Sequence, residues 1–142
     1  MIWLLRHGEA EPGSPDAERK LTEEGERQAR AAGAALAKLE VAINVCMTSP
    51  KVRAADTAKI ACDELGIDLR LEPALAGGPF DAEQLAAGFD NALLVGHDPD
   101  FSMSVHSLTG AQVRLKKGGL AAVEHGELVV VMTPRELTAI AA

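Results

Sequence analysis

A chain of 142 residues, 47% apolar and 25% charged, has the size and balance of one folded domain and excludes disorder, collagen-like repeats and coiled coil. Its 14 basic and 21 acidic residues give a net charge of −7, which excludes a broad nucleic-acid surface, because phosphates demand a basic face. No apolar run approaches the ~20 residues that span a bilayer, so no membrane partner is expected.

Ile2–Leu5 is a short, wholly apolar run and reads as a strand buried on both faces. It ends in Arg6-His7-Gly8, and the Pro-, Gly- and charge-rich stretch Glu9–Lys20 reads as a surface loop. Thr22 then caps a helix whose small face, Gly25, Ala29, Ala32, Gly33 and Leu36, suits close packing on a sheet. Asn44–Thr48 is a second strand. Ser49-Pro50 reads as the cap and first position of a helix that stops at Gly66. Asp68–Glu72 is a third strand, Pro73–Pro79 a loop, and Asp81–Ala87 a short helix.

Ala92–Val95 is a fourth strand, followed by Gly96-His97-Asp98-Pro99 and a helix that ends at Gly110 with Phe101, Val105 and Leu108 on one face. Leu120–Val123 and Leu128–Met132 read as a hairpin at a sheet edge, and Pro134 opens a terminal helix. The alternating order predicts an α/β three-layer sandwich over residues 1–142, with a mostly parallel central sheet and helices on both faces. With aromatics limited to Trp3, Phe80, Phe89 and Phe101, the core must be Leu, Val, Ile and Ala. The apolar start is too short for a secretory segment, so Cys46 and Cys62 read as buried free thiols of a cytoplasmic protein.

In open α/β sheets, ligands bind beyond the carboxyl ends of the strands. Three of the strands end in chemistry-bearing groups: Arg6-His7, then Ser49-Pro50 with Arg53 in the next turn, then His97. Two imidazoles and two guanidiniums can therefore meet at one sheet edge. His7 is the candidate nucleophile, kept neutral by Arg6 and Arg53, which can each clamp the oxygens of a phosphoryl group. His97 is a second imidazole donor to the same group. No metal or other cofactor is called for, since the arginines and His97 supply the charge, and no His or Cys spacing fits a metal site.

Leu4-Leu5-Arg6-His7-Gly8-Glu9-Ala10, Leu21-Thr22 with Gly25, Thr48-Ser49-Pro50 with Arg53-Ala54 and Thr57-Ala58, Val95-Gly96-His97-Asp98-Pro99, and Lys117-Gly118-Gly119 together resemble the histidine phosphatase superfamily. Within it, the chain is similar to the small SixA-type phosphohistidine phosphatases over nearly its whole length. The resemblance implies that His7 is phosphorylated transiently and that Arg6, Arg53 and His97 complete the phosphate pocket.

Many larger members carry a carboxylic acid after the third strand, and no Glu stands at that place here. Asp81 and Glu83 read either as that acid or as the cap and first-turn acid of the next helix. Imidazole leaves more readily than an alkoxide, its ordinary pKa being ~6.5, so the site suits a P–N bond. The expected activity is a metal-independent phosphatase acting on phosphohistidine of a partner protein. The alternatives are a phosphatase of a small phosphomonoester such as a sugar phosphate or nucleotide, and a non-catalytic phosphate-binding module.

Other residues carry two readings. Glu9 either orients Arg6 or His7 or is a solvated acid, and Asp98 is a cap before it is a catalyst. Arg114, Lys116 and Lys117 form a solvated charge run or meet an acidic partner. His106 and His125 read as non-catalytic.

Overall fold

The computed structural model describes residues 1–142. Six strands form one sheet in the order β3-β2-β4-β1-β5-β6. They are β1 (Ile2–Arg6), β2 (Val45–Thr48), β3 (Leu69–Leu71), β4 (Ala92–Gly96), β5 (Leu120–Glu124) and β6 (Glu127–Met132). β1 to β4 are mutually parallel, while β5 runs antiparallel to β1 and turns back into β6. The hairpin turn is His125-Gly126, both at positive φ (50° and 74°), the backbone form that matches the twist of a two-residue connection.

Helices cover both faces. On one face lie α1 (Glu23–Lys38), α2 (Val52–Leu65) and α5 (Pro134–Ala141); on the other lie α3 (Ala82–Ala86) and α4 (Asp100–Thr109). Strand alternation sorts the side chains: Trp3, Leu5, Leu93 and Val95 face the first layer, whereas Leu4, Ala92, Leu94 and Phe101 pack in the second. Each fully buried Leu or Val among them contributes roughly 1.5–3 kcal/mol of hydrophobic stabilisation.

The small face of α1 lies buried as expected, from Gly25 through Ala29, Ala32 and Gly33 to Leu36. Gly33 lets α1 approach α2 so closely that a Cβ there would stand 2.5 Å from the carbonyl oxygen of Ala61. Thr22 caps α1 by accepting from the Gly25 N–H, and Gly66 and Gly110 end their helices in the left-handed conformation. Cys46 and Cys62 are buried and unbridged. No helix is long and apolar enough to cross a membrane.

Two local expectations are corrected. β3 is confined to Leu69–Leu71, an edge strand with β2 as its one partner, although the Glu72 N–H still donates to the Thr48 carbonyl at 2.7 Å. α2 begins at Val52, not at Pro50, with Lys51 in the capping position. The Ser49 N–H still continues the sheet ladder to the Val95 carbonyl (3.0 Å), so the chain leaves β2 one residue later than a Ser cap would require.

Candidate active site

Strand register assembles the site. β1 and β4 pair Arg6 with Gly96, and β2 and β4 pair Thr48 with Val95. The next residue of each strand, His7, His97 and Ser49, therefore emerges at one end of the sheet. The His7 N–H donates to the Gly96 carbonyl at 2.9 Å, and the two imidazole rings lie 5.3 Å apart, tilted by 56°. The turn before β5 closes the opposite side: the Gly118 N–H donates to the carbonyls of both Arg6 and His7.

His7 is held in one protonation form. Its Nδ1 lies 2.7 Å from the carbonyl oxygen of Gly8, which can only accept, so Nδ1 bears the proton and Nε2 the lone pair. The Arg53 Nε–H points at that lone pair from 3.4 Å. Burial first, and then Arg53, Arg6 and Lys117, together lower the His7 pKa to about 4 against the Gly8 hydrogen bond. Removal from water thus outweighs the arginines that the sequence points to as the cause. His97 is lowered to about 3, again by burial and then by His7, Arg53 and Lys51. Both rings are neutral at pH 7.

Arg53 sits in the first turn of α2 and is 7% exposed. Besides facing His7, it donates through Nη1 to the Asp16 carbonyl (2.9 Å) and through Nη2 to the Asp16 carboxylate (3.2 Å). Asp16, in a short 3-10 turn at Asp16–Glu18, also pairs with Arg19 and Lys51. Those cations hold its carboxyl below the usual range, the hydrogen bond from Arg19 first and that from Arg53 second. Asp16 was not foreseen; it lay in a stretch with no periodicity. Its one advance signal was an acid three residues before Arg19, inside a loop. Thr57 was quoted without a role. It accepts from the Gly8 N–H (3.1 Å) and donates to the Arg53 carbonyl (2.7 Å), tying the loop after His7 to α2.

Arg6 Nη1 donates to the Leu115 carbonyl at 2.8 Å. Its Nε and the Nδ1 of His97 are the two buried side-chain polar atoms of the whole chain without a hydrogen-bond partner. The other ring nitrogen of His97, Nε2, lies 2.7 Å from Ser49 Oγ. Ser49, read as a helix cap, faces His97.

The remaining candidates fall elsewhere. Glu9 bonds to Thr22 at the start of α1 and touches neither Arg6 nor His7. Asp98 accepts from the N–H and hydroxyl of Ser102, fixing the first turn of α4. Asp81 caps α3 through the Gln84 N–H, and Glu83 is the first-turn acid of that helix. Of the cluster Arg114, Lys116 and Lys117, Lys117 is near enough to act on the His7 charge. His106 closes on the Ala111 carbonyl at the end of α4, and His125 sits in the hairpin turn. No group of three or more His, Cys, Asp or Glu side chains is arranged to hold a metal ion.

The sequence model of the histidine phosphatase superfamily (branch 1) matches residues 2–81, the part that delivers Arg6, His7, Ser49 and Arg53. The chain belongs to the histidine phosphatase superfamily. Members of this superfamily are phosphatase- or mutase-type enzymes, and this chain is one of them. An uncharacterized protein of Picosynechococcus sp. is 33% identical over 140 residues, covering 88% of this chain and 85% of that protein. In three dimensions the chain is similar to the protein histidine phosphatase SixA complexed with tungstate. The TM-score is 0.84 at 24% identity, over 96% of this chain and 98% of that one. It is also similar to a Nakamurella multipartitia protein assigned to SixA, with a TM-score of 0.80 at 25% identity, over 94% and 95% of the two chains. The α/β sandwich read from the element order is therefore the histidine phosphatase fold.

Proposed function

We propose that this histidine phosphatase removes the phosphoryl group from phosphohistidine on a partner protein, through a phospho-His7 intermediate and without a metal ion. The supporting observation is the pair of unpartnered buried polar atoms, Arg6 Nε and His97 Nδ1, beside a His7 whose Nε2 lone pair faces Arg53. Unpaired buried polar atoms are rare and costly, and a doubly negative group of tetrahedral oxygens would satisfy both.

In the first step the Nε2 lone pair of His7 forms a bond to phosphorus while the substrate's P–N bond breaks. The electron pair goes to the departing imidazole, whose other nitrogen has taken a proton from solvent, so it leaves neutral. Arg6 and Arg53 hold the oxygens and offset the charge. The Gly8 carbonyl, by accepting from Nδ1–H, stabilises the cationic ring that attack produces. In the second step water attacks phosphorus, the pair of the P–Nε2 bond returns to His7, and the product leaves as dihydrogen phosphate, which sheds a proton to solvent.

The choice of phosphohistidine rests on the acids. Asp16, the one carboxylate hydrogen-bonded to any of these four side chains (to Arg53), is engaged by three cations and ionised, and Asp81 is occupied as a helix cap. An alkoxide leaving group needs a proton donor that none of these groups provides. The partner is thus a phosphohistidine-bearing protein, such as a phosphorelay or phosphotransfer protein. The test is a substrate panel in EDTA: a histidine protein phosphorylated with phosphoramidate, against sugar phosphates and nucleoside monophosphates. The expected result is a higher kcat/KM for the phosphoprotein. A higher value for any ester overturns the substrate assignment.

A further inference from the structure

Ser49 is fully buried and its hydroxyl has a complete, countable set of partners. A serine hydroxyl donates once and accepts twice. The Lys51 N–H takes one acceptor site at 3.2 Å, and the single group able to receive the Ser49 O–H within hydrogen-bond distance is Nε2 of His97, at 2.7 Å. If Nε2 carried the ring proton instead, the buried Ser49 hydrogen would have no acceptor and Nδ1 would be an unmatched lone pair.

The structure assigns Ser49 as a positioning residue that fixes the tautomer of His97, so that Nδ1–H is the donor offered to the phosphoryl group. This deepens, and rests on, the phosphatase reading of the pocket. It gives the unpartnered Nδ1 a sign: a proton aimed at an incoming oxyanion, not a lone pair that would repel it. A hydroxyl also suits both states of the ring. It donates to Nε2 while His97 is neutral, and rotates to accept from Nε2–H if a bound dianion draws a second proton onto the ring. An apolar side chain does neither. The Ser49 backbone is pinned on both sides, by its N–H to Val95 and by its carbonyl accepting from the Thr48 hydroxyl at 3.1 Å, so the hydroxyl is delivered from a fixed point.

The test pairs a tautomer readout with kinetics on the full-length chain. Histidine-ring 15N spectra at pH 7.5, assigned with a His97→Gln variant, are recorded with and without inorganic phosphate. Wild type is expected to show His97 with a protonated Nδ1 and a bare Nε2. Ser49→Ala is expected to mix the two tautomers and to lower kcat about 10- to 100-fold, by analogy with removing the outer partner of a metal-bound imidazole, while KM changes far less. Ser49→Thr is expected to restore the single tautomer and most of the rate; should either variant fail to fold, Ser49→Cys replaces it. A wild-type His97 protonated on Nε2, or a Ser49→Ala protein with unchanged tautomer and kcat, overturns the assignment. If instead the tautomer is as assigned but no phosphohistidine is turned over, the substrate reading fails and the positioning role stands.

Discussion

Arg53 faces His7 with one edge of its guanidinium and Asp16 with the other: Nε lies 3.4 Å from His7 Nε2, and Nη2 lies 3.2 Å from the Asp16 carboxylate. One residue in the first turn of α2 thereby links His7 to a surface loop. The two ends of this link predict different losses. Arg53→Ala removes a buried cation from the reacting group and should cost about 10²–10³ in kcat/KM, as for one preorganised donor, with the circular dichroism spectrum unchanged. Asp16→Asn removes an exposed, solvent-screened partner and should cost no more than about fivefold. Equal losses in the two variants would contradict this division.

His7 should become covalently labelled. Incubation with a phosphohistidine protein carrying radioactive phosphate, followed by quenching, should leave a label on the chain that survives alkali and is lost in acid. His7→Ala should abolish both label and turnover, because no other side chain in the pocket presents a nitrogen lone pair toward Arg53. Near-normal turnover by that variant is incompatible with a phospho-His7 step.

How much of this was legible follows from where each signal resides. Three apolar runs ending in Arg6-His7, Thr48-Ser49 and Gly96-His97 announce strand ends, and parallel pairing carries those ends to one edge, so the meeting of His7 with His97 could be read from order alone. Asp16 could not. Its partner Arg53 is 37 residues away, and a loop contact leaves no periodicity in the sequence. Ser49 misled because Ser-Pro before a helix looks locally like a cap; only the register of β2 against β4 shows that Ser49 still belongs to the sheet ladder and turns its hydroxyl to His97. The depth of His7 was hidden for a similar reason, since burial is a property of the packed layers and not of the neighbouring residues.

The two lowered imidazoles make stability depend on pH in a defined direction. In the unfolded chain each ring titrates near 6.5, whereas in the folded protein the values are about 4 for His7 and about 3 for His97. Between those limits the unfolded state binds more protons, so stability is fully present above about pH 6.5 and falls as pH drops toward 4. Urea midpoints should therefore decline steadily from pH 7 to pH 5, a window above the lowered carboxyls of Asp16 and Glu136. A His7→Gln, His97→Asn double variant should flatten the decline, and saturating inorganic phosphate should weaken it by favouring protonated His97. A midpoint that rises on acidification to pH 5 would reverse the sign and refute the burial argument.

The loop after His7 is positioned by a contact that only glycine permits. A Cβ on Gly25 would stand 2.0 Å from the Glu9 carbonyl oxygen, and one on Gly8 would stand 2.5 Å from the Gly25 carbonyl oxygen. The start of α1 and the exit of β1 therefore meet backbone to backbone, while Thr57 holds the Gly8 N–H from the other side. Gly33 makes a comparable approach to Ala61 in α2, away from this loop. Replacing either glycine by alanine forces backbone apart, at a cost of roughly 1–3 kcal/mol, or about 2–10 °C in Tm for a chain of this size. The two variants should separate in activity. Gly33→Ala should keep its kcat per folded molecule, because the strain is taken up between two helices of the first layer. Gly25→Ala should lose kcat as well, by about tenfold or more, because the displaced backbone carries the carbonyl that orients His7 Nδ1 and misplacement by ~1 Å is costly to an in-line attack. Thermal melts and turnover measured on both proteins check this, and a Gly25→Ala enzyme with wild-type Tm and kcat would show that the close approach does not govern the nucleophile.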